Sequence, residues 1–79
     1  MDLTQLETGR TARVVEIQGG QPLQYKLRAI GIMPGKTISK TGRTILKGPV
    51  VLVVGSVQVA IGFGMARKIM VEPMNAAAV

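Results

Sequence analysis

The chain has 79 residues, a net charge of +6, and neither cysteine nor histidine. This length suits one domain with a modest core, and the lack of cysteine excludes disulfides and thiolate chemistry. Without histidine or cysteine the usual ligands for zinc, copper and iron are missing, so we expect no metal site and no cofactor. The positive net charge favours an acidic partner, such as nucleic acid, an anionic membrane surface or an acidic protein. The alternative is that the charged side chains only keep the surface solvated.

The N-terminal third of the sequence predicts a short segment without a strand, followed by a strand. Leu3 and Leu6 are expected to seal one end of a core, and residues 1–6 lack the basic and apolar regions of a signal peptide. A strand is predicted over about residues 10–18. Its apolar positions change face, with Ala12 and Val14 on one side and Val15 and Ile17 on the other, which indicates a β-bulge or a strand that curls within a barrel.

A short helix is predicted over about Pro22 to Ile30. Leu23, Leu27 and Ile30 are spaced at i, i+4 and i+7, so we expect all three on one buried face. Pro22 suits the first helical turn, where its missing N–H has no intrahelical partner. Gly31 suits the left-handed position that ends many helices, and the next residue is expected to fold back onto the last apolar turn.

The remainder predicts strands joined by tight turns. Pro34-Gly35 fits a type II turn, and the strand after it should place Ile38 in the core. Residues 41–47 form a polar, basic loop interrupted by two aliphatic residues. Further strands are expected over about residues 50–54, 57–61 and 68–72, with a short connection over residues 62–67. The fold class is therefore mainly β: a small five-stranded barrel with one inserted helix over residues 1–73, followed by a loose tail over residues 74–79.

Residues 50–66 carry no charge and raise the question of a membrane span. The segment is slightly shorter than a spanning helix requires, and it contains Gly55-Ser56 between runs of valine. Valine favours strands, and a Gly-Ser pair between two apolar runs is typical of a hairpin turn. A buried β-hairpin is therefore predicted, and no membrane span is expected.

Nothing in the sequence predicts an enzyme. The four carboxylates (Asp2, Glu7, Glu16 and Glu72) are scattered, and no nucleophile has an evident base beside it. Gly62 and Gly64 lack the third glycine and the long following helix of a dinucleotide-binding loop, so tight turns explain them better. We therefore expect no catalytic residue.

The most specific pattern in the chain is residues 27–35, Leu-Arg-Ala-Ile-Gly-Ile-Met-Pro-Gly, supported by Gly48-Pro49-Val50 and by the spacing within residues 57–62 and 66–71. Together these segments resemble the FeoA family, small cytoplasmic accessory proteins of bacterial ferrous iron uptake. The resemblance implies an SH3-like barrel, a cytoplasmic location and a partner, the FeoB-type ferrous iron transporter, which is a membrane protein with a cytosolic GTP-binding domain. It implies no catalytic residue.

Two candidate partner-binding surfaces follow from the predicted elements. If Leu23 and Leu27 face the core, Tyr25 and Arg28 point outward, and tyrosine and arginine are frequent interface anchors. The basic loop is the second candidate, since its cations suit acidic protein or lipid headgroups. The candidate residues are Tyr25, Arg28, Lys40, Arg43 and Lys47. Both sets are also consistent with ordinary solvated side chains, and self-association is left open.

The alternative function is that of a small basic barrel that binds RNA or single-stranded nucleic acid. Such proteins stack bases on aromatic side chains within a basic groove. The chain has only Tyr25 and Phe63, and Phe63 is expected in the core. One exposed aromatic residue is a poor stacking platform, so contact with a protein partner is the preferred interpretation.

Overall fold

The computed structural model describes residues 1–42 and 45–74. Within them a five-stranded antiparallel sheet and two helices follow an N-terminal 3-10 turn at Leu3–Gln5. The elements in chain order are β1 (Thr11–Ile17), α1 (Gln21–Ala29), β2 (Thr37–Lys40), β3 (Val50–Val54), β4 (Val57–Ile61), α2 (Phe63–Ala66) and β5 (Ile69–Pro73). The strand order is β4-β3-β2-β1-β5, and neighbouring strands run antiparallel. The mainly β architecture with one inserted helix is confirmed.

The sheet and both helices enclose one apolar core. Every strand contributes at least one buried aliphatic side chain, since successive side chains along a strand point to opposite faces of the sheet. The buried apolar residues are Leu3, Leu6, Ala12, Val14, Ile17, Leu27, Ile32, Ile38, Val50, Leu52, Ile61, Ala66, Ile69 and Val71. Leu3 and Leu6 close one end of this core, as the sequence predicted, and Phe63 packs against it while partly exposed.

Strand β1 contains the predicted bulge. Its register with β5 shifts between Val14 and Glu16, so Val14 and Ile17 both face the core although they are three residues apart. Val15 is the extra residue of the bulge, and its side chain points to solvent, so that the residue is 50% exposed. The expectation that Val15 shares a face with Ile17 is therefore wrong, while the irregularity that prompted it is confirmed.

Two predicted turns have the expected geometry. The N–H of Lys36 donates to the Met33 carbonyl oxygen at 3.1 Å, and Gly35 has a φ of +95°, as a type II turn over Pro34-Gly35 requires. Gly55-Ser56 joins β3 to β4, with Val54 paired to Val57. Residues 50–61 are thus a β-hairpin, and no helix within the described ranges is long and apolar enough to cross a bilayer.

The N-terminus is attached to the edge of the sheet at β5. The Met1 carbonyl oxygen accepts a hydrogen bond from the N–H of Val71 at 2.8 Å, and Asp2 forms an isolated bridge with Met70. Asp2 also caps the 3-10 turn: its carboxylate accepts from the N–H of Thr4 at 2.8 Å, while the side chain of Gln5 accepts from the N–H of Asp2. The turn therefore has a fixed position against the core.

The predicted loose tail lies almost entirely outside the described residues. Its first residue, Met74, is still attached to the sheet, since its N–H donates to the Thr11 carbonyl oxygen at 2.9 Å. The boundary between domain and tail near residue 73 therefore stays a prediction.

Candidate docking surfaces

Helix α1 is held to the core by one face. Leu27 is fully buried and Leu23 is partly buried against the core, while Pro22 occupies the first turn as predicted. Ile30 is 39% exposed, so its placement on the buried face is wrong. The reason is that the helix ends at Ala29, and Ile30 has left helical geometry with φ of −105° and ψ of 12°.

The C-terminal end of α1 is a Schellman motif. Gly31 has a φ of +91°, its N–H donates to the Arg28 carbonyl oxygen at 3.0 Å, and the N–H of Ile32 donates to the Leu27 carbonyl oxygen at 2.9 Å. Ile32 is fully buried beside Leu27 in the core. This confirms both the glycine cap and the predicted return of the chain onto the helix.

The opposite face of α1 is open to solvent. Tyr25 is 78% exposed and Arg28 is exposed, so both side chains point outward as the sequence predicted. Gln24 on the same side is engaged locally, because its amide nitrogen donates to the Gly19 carbonyl oxygen at 3.1 Å. We call the surface formed by Tyr25 and Arg28 the α1 face.

Lys40 does not belong to the exposed basic loop, and that expectation is wrong. Only 4% of the residue is exposed. Its ammonium group donates to three carbonyl oxygens of the N-terminal turn: Leu6 at 2.8 Å, Thr4 at 3.1 Å and Leu3 at 3.5 Å. The Leu3 carbonyl oxygen also accepts from the N–H of Leu6 at 3.3 Å, whereas Lys40 supplies the donor for the carbonyl oxygens at the end of the turn, those of Thr4 and Leu6.

The position of Lys40 in its strand contains the signal for this burial. Lys40 lies two residues after Ile38, and residues two apart in a strand face the same side. Burial lowers the pKa of Lys40, and the nearby carboxylate of Asp2 opposes that shift. Lys40 is therefore a structural residue and is not carried into the candidate docking surface.

The loop between β2 and β3 presents a different surface from the predicted one. Arg43 lies outside the described residues, and Lys47 is exposed as expected. Two aliphatic side chains of this loop are strongly exposed: Ile45 is 71% exposed and Leu46 is 96% exposed. The sequence treated these two residues as interruptions of a basic loop, whereas both are exposed to solvent. We call residues 45–47 the loop apex.

The described residues also contain a shallow basic depression near the end of β1. It has a volume of about 370 Å³ and is lined by Gln18, Gly64, Arg67 and Lys68.

No cluster of three acidic residues within the described ranges could hold a metal ion. The only salt bridge among the described residues joins Arg13 to Glu72 at 3.6 Å. It is exposed and adds little to stability.

Solved structures of similar proteins share this fold. A crystal structure of an iron uptake regulatory protein (FeoA) is 35% identical, with a TM-score of 0.84 over 94% of this chain and 96% of that one. Iron(II) transport protein A from Clostridium thermocellum is 28% identical, with a TM-score of 0.87 over 94% of this chain, which spans 46% of that one. The zinc complex of FeoA from Stenotrophomonas maltophilia, described as an SH3 domain protein, is 21% identical, with a TM-score of 0.78 over 91% of this chain and 89% of that one.

The fold therefore defines a small SH3-like domain. The family model for the FeoA domain matches residues 1–73, and the chain belongs to the FeoA family. This family is linked to ferrous iron transport. No curated protein matches the chain.

Proposed function

We propose that this chain is a non-enzymatic cytoplasmic accessory protein that binds a FeoB-type ferrous iron transporter and modulates it by protein contact. The observation that carries the proposal is the FeoA domain itself, which covers residues 1–73. Neither Tyr25 nor Arg28 contributes to the core, and both stand on a helix whose position is fixed. We assign the contact to the α1 face.

The α1 face suits a protein partner for two physical reasons. Leu27 and the Schellman motif hold the helix in place, so Tyr25 and Arg28 lose little backbone freedom on binding. Tyrosine and arginine are also enriched among the residues that dominate interface energetics. The net charge of +6 favours a partner with an acidic surface around the contact.

A binding measurement with the purified cytosolic part of the cognate transporter tests this proposal. We expect the variant Tyr25→Ala/Arg28→Glu to raise the Kd by about thirtyfold, since losing an interface anchor costs about 2 kcal/mol or more. The control is Lys26→Glu, which makes the same change in charge on an exposed residue of the same helix. Unchanged binding by the double variant would contradict the site, and no binding by the wild type would contradict the function.

Three further measurements complete the test. Melting temperatures of both variants should match the wild type, because exposed substitutions change stability by only about 0.5 kcal/mol. Ferrous iron uptake in cells, at matched protein levels, should fall with the double variant alone. Binding of a labelled single-stranded oligonucleotide at two salt concentrations addresses the alternative, because binding through phosphates weakens steeply with salt.

A further inference from the structure

The loop apex has a backbone conformation that its residues disfavour. Leu46 and Lys47 have φ values of +51° and +58°, and the N–H of Gly48 donates to the Ile45 carbonyl oxygen at 2.9 Å. Two central residues with positive φ define a type I′ turn, for which Asn-Gly is the favoured pair. A leucine and a lysine at these positions reduce stability, because their Cβ atoms crowd the backbone in this region.

The start of the loop is attached to β3. The N–H groups of Thr41 and Gly42 both donate to the Val51 carbonyl oxygen, at 3.0 and 3.3 Å. A Cβ atom on Gly42 would lie 2.9 Å from the Cβ of Val51, which shows how closely the loop packs on β3. The loop therefore leaves β2 in a fixed position against β3.

The apex combines exposed aliphatic side chains with a neighbouring cation. Leu46 is almost fully exposed and Ile45 largely so, although removing such side chains from water would be favourable. Lys47 is exposed next to them, and the whole chain carries a net charge of +6. Backbone strain beside solvated aliphatic side chains has no structural benefit in the isolated domain, which indicates a role in contact with something else.

We propose that the loop apex is a membrane-contact element, in which Leu46 and Ile45 insert into the interfacial region of an anionic bilayer while Lys47 contacts headgroup phosphates. Lipid suits the apex better than a protein pocket does. A bilayer receives one or two aliphatic side chains from a convex turn without shape complementarity, and its anionic headgroups attract nearby cations. The two side chains have fewer carbons than a myristoyl chain, so the contact is weak and reversible.

The loop between β2 and β3 and the C-terminal end of α1 approach opposite ends of β3. The loop enters β3 at Val50, whereas a Cβ atom on Gly31, at the end of α1, would lie 3.3 Å from the side chain of Val54. The strand between them is about 13 Å long. Contact of the apex with lipid therefore leaves the α1 face free, and this inference does not depend on the proposed function.

Cosedimentation of the full chain with vesicles tests the proposal. We expect the wild type to sediment with vesicles of one-third phosphatidylglycerol in phosphatidylcholine, and not with phosphatidylcholine alone. Leu46→Asn should lower the bound fraction at least fivefold while the melting temperature stays equal or rises, because asparagine tolerates positive φ. The matched control is Val15→Asn, a similar change at a half-exposed aliphatic residue on β1, which should bind vesicles as the wild type does.

A fluorescent reporter provides a second readout. The chain has no tryptophan, so Leu46→Trp introduces a single one whose emission should shift to shorter wavelength with anionic vesicles. Tyr25→Trp on the α1 face should show no shift. Absence of wild-type sedimentation, or full sedimentation by Leu46→Asn, would overturn the proposal. Leu46→Asn should still bind the transporter's cytosolic part in the absence of lipid. A negative result with vesicles is therefore distinct from a failure of the proposed function.

Discussion

The main-chain N–H of Ile32 donates a hydrogen bond to the carbonyl oxygen of Leu27, 2.9 Å away, and both side chains are fully buried in the core. The same pair of residues thus ends helix α1 and attaches it to the sheet. Because Gly31 lies between them with a φ of +91°, one residue sets the direction in which the chain leaves the helix. The position of the α1 face depends on this arrangement.

Gly31→Ala should destabilise the domain by about 1–2 kcal/mol, since a Cβ atom is disfavoured at positive φ. The new methyl group would also lie 3.3 Å from a γ-methyl of Val54. Thermal unfolding should show a fall of several degrees. The control is Gly64→Ala in α2, where φ is not positive and no atom lies within 4 Å of the added Cβ. That variant should be as stable as the wild type or more so, and equal melting temperatures for both would contradict the cap.

Much of the fold was predictable because local sequence and tertiary packing agree. Pro34-Gly35 and Gly55-Ser56 form the turns that their residue types favour, and Leu27 and Ile38 face the core as their spacing predicts. Ile30 was misplaced because periodicity alone does not fix the last residue of a helix. The helix ends at Ala29, one residue before the expected end, and this places Ile30 outside the helix.

Lys40→Met should reduce stability by about 1–3 kcal/mol, because the carbonyl oxygens of Leu3, Thr4 and Leu6 would lose their buried donor. Methionine retains most of the aliphatic stem, so the change isolates the ammonium group. Urea unfolding is the measurement, with Lys36→Met as the control because Lys36 is exposed. Wild-type stability of Lys40→Met would mean that the three hydrogen bonds only offset the desolvation of the charge.

The wild type should gain stability relative to Lys40→Met as the pH rises toward the ordinary lysine pKa. Burial lowers the pKa of Lys40 in the folded state, so over the range below about 10.4 the unfolded chain binds more protons there. The free energy of unfolding therefore rises with pH through this range and levels off above it. Unfolding of both proteins from pH 7 to 10.5 measures the difference, in which the contributions of shared groups cancel. A difference that falls with rising pH would contradict the lowered pKa.

The candidate sites were harder to predict than the fold, and the reason differs between them. The exposure of Tyr25 and Arg28 follows from helical periodicity, which is a local property. The burial of Lys40 depends on carbonyl groups that lie more than thirty residues away in sequence. The exposure of Leu46 runs against its residue type, and composition led to the expectation of a basic surface around it. Residues whose environment opposes their usual preference are the ones that a sequence pattern misses.

A strong chelator should leave the melting temperature unchanged. The chain contains no histidine or cysteine, and no acidic cluster within the described residues is arranged to hold a metal. Folding should therefore receive no free energy from metal binding. Calorimetry with and without chelator checks this expectation, and readdition of ferrous or zinc ions serves as the control. A fall of several degrees that metal reverses would indicate an oxygen-ligand site.

The burial of Lys40 also makes one amine chemically distinct from the others. Lys26, Lys36, Lys47 and Lys68 are exposed, so amine-reactive reagents should acylate them quickly. Acylation of Lys40 requires its side chain to leave the carbonyl oxygens that it contacts, and hence requires the N-terminal turn to detach. The rate of labelling at this lysine, followed by mass spectrometry, thus reports how often that turn opens in the native protein. A partner or a bilayer that rigidifies the domain would slow this labelling without touching Lys40 itself.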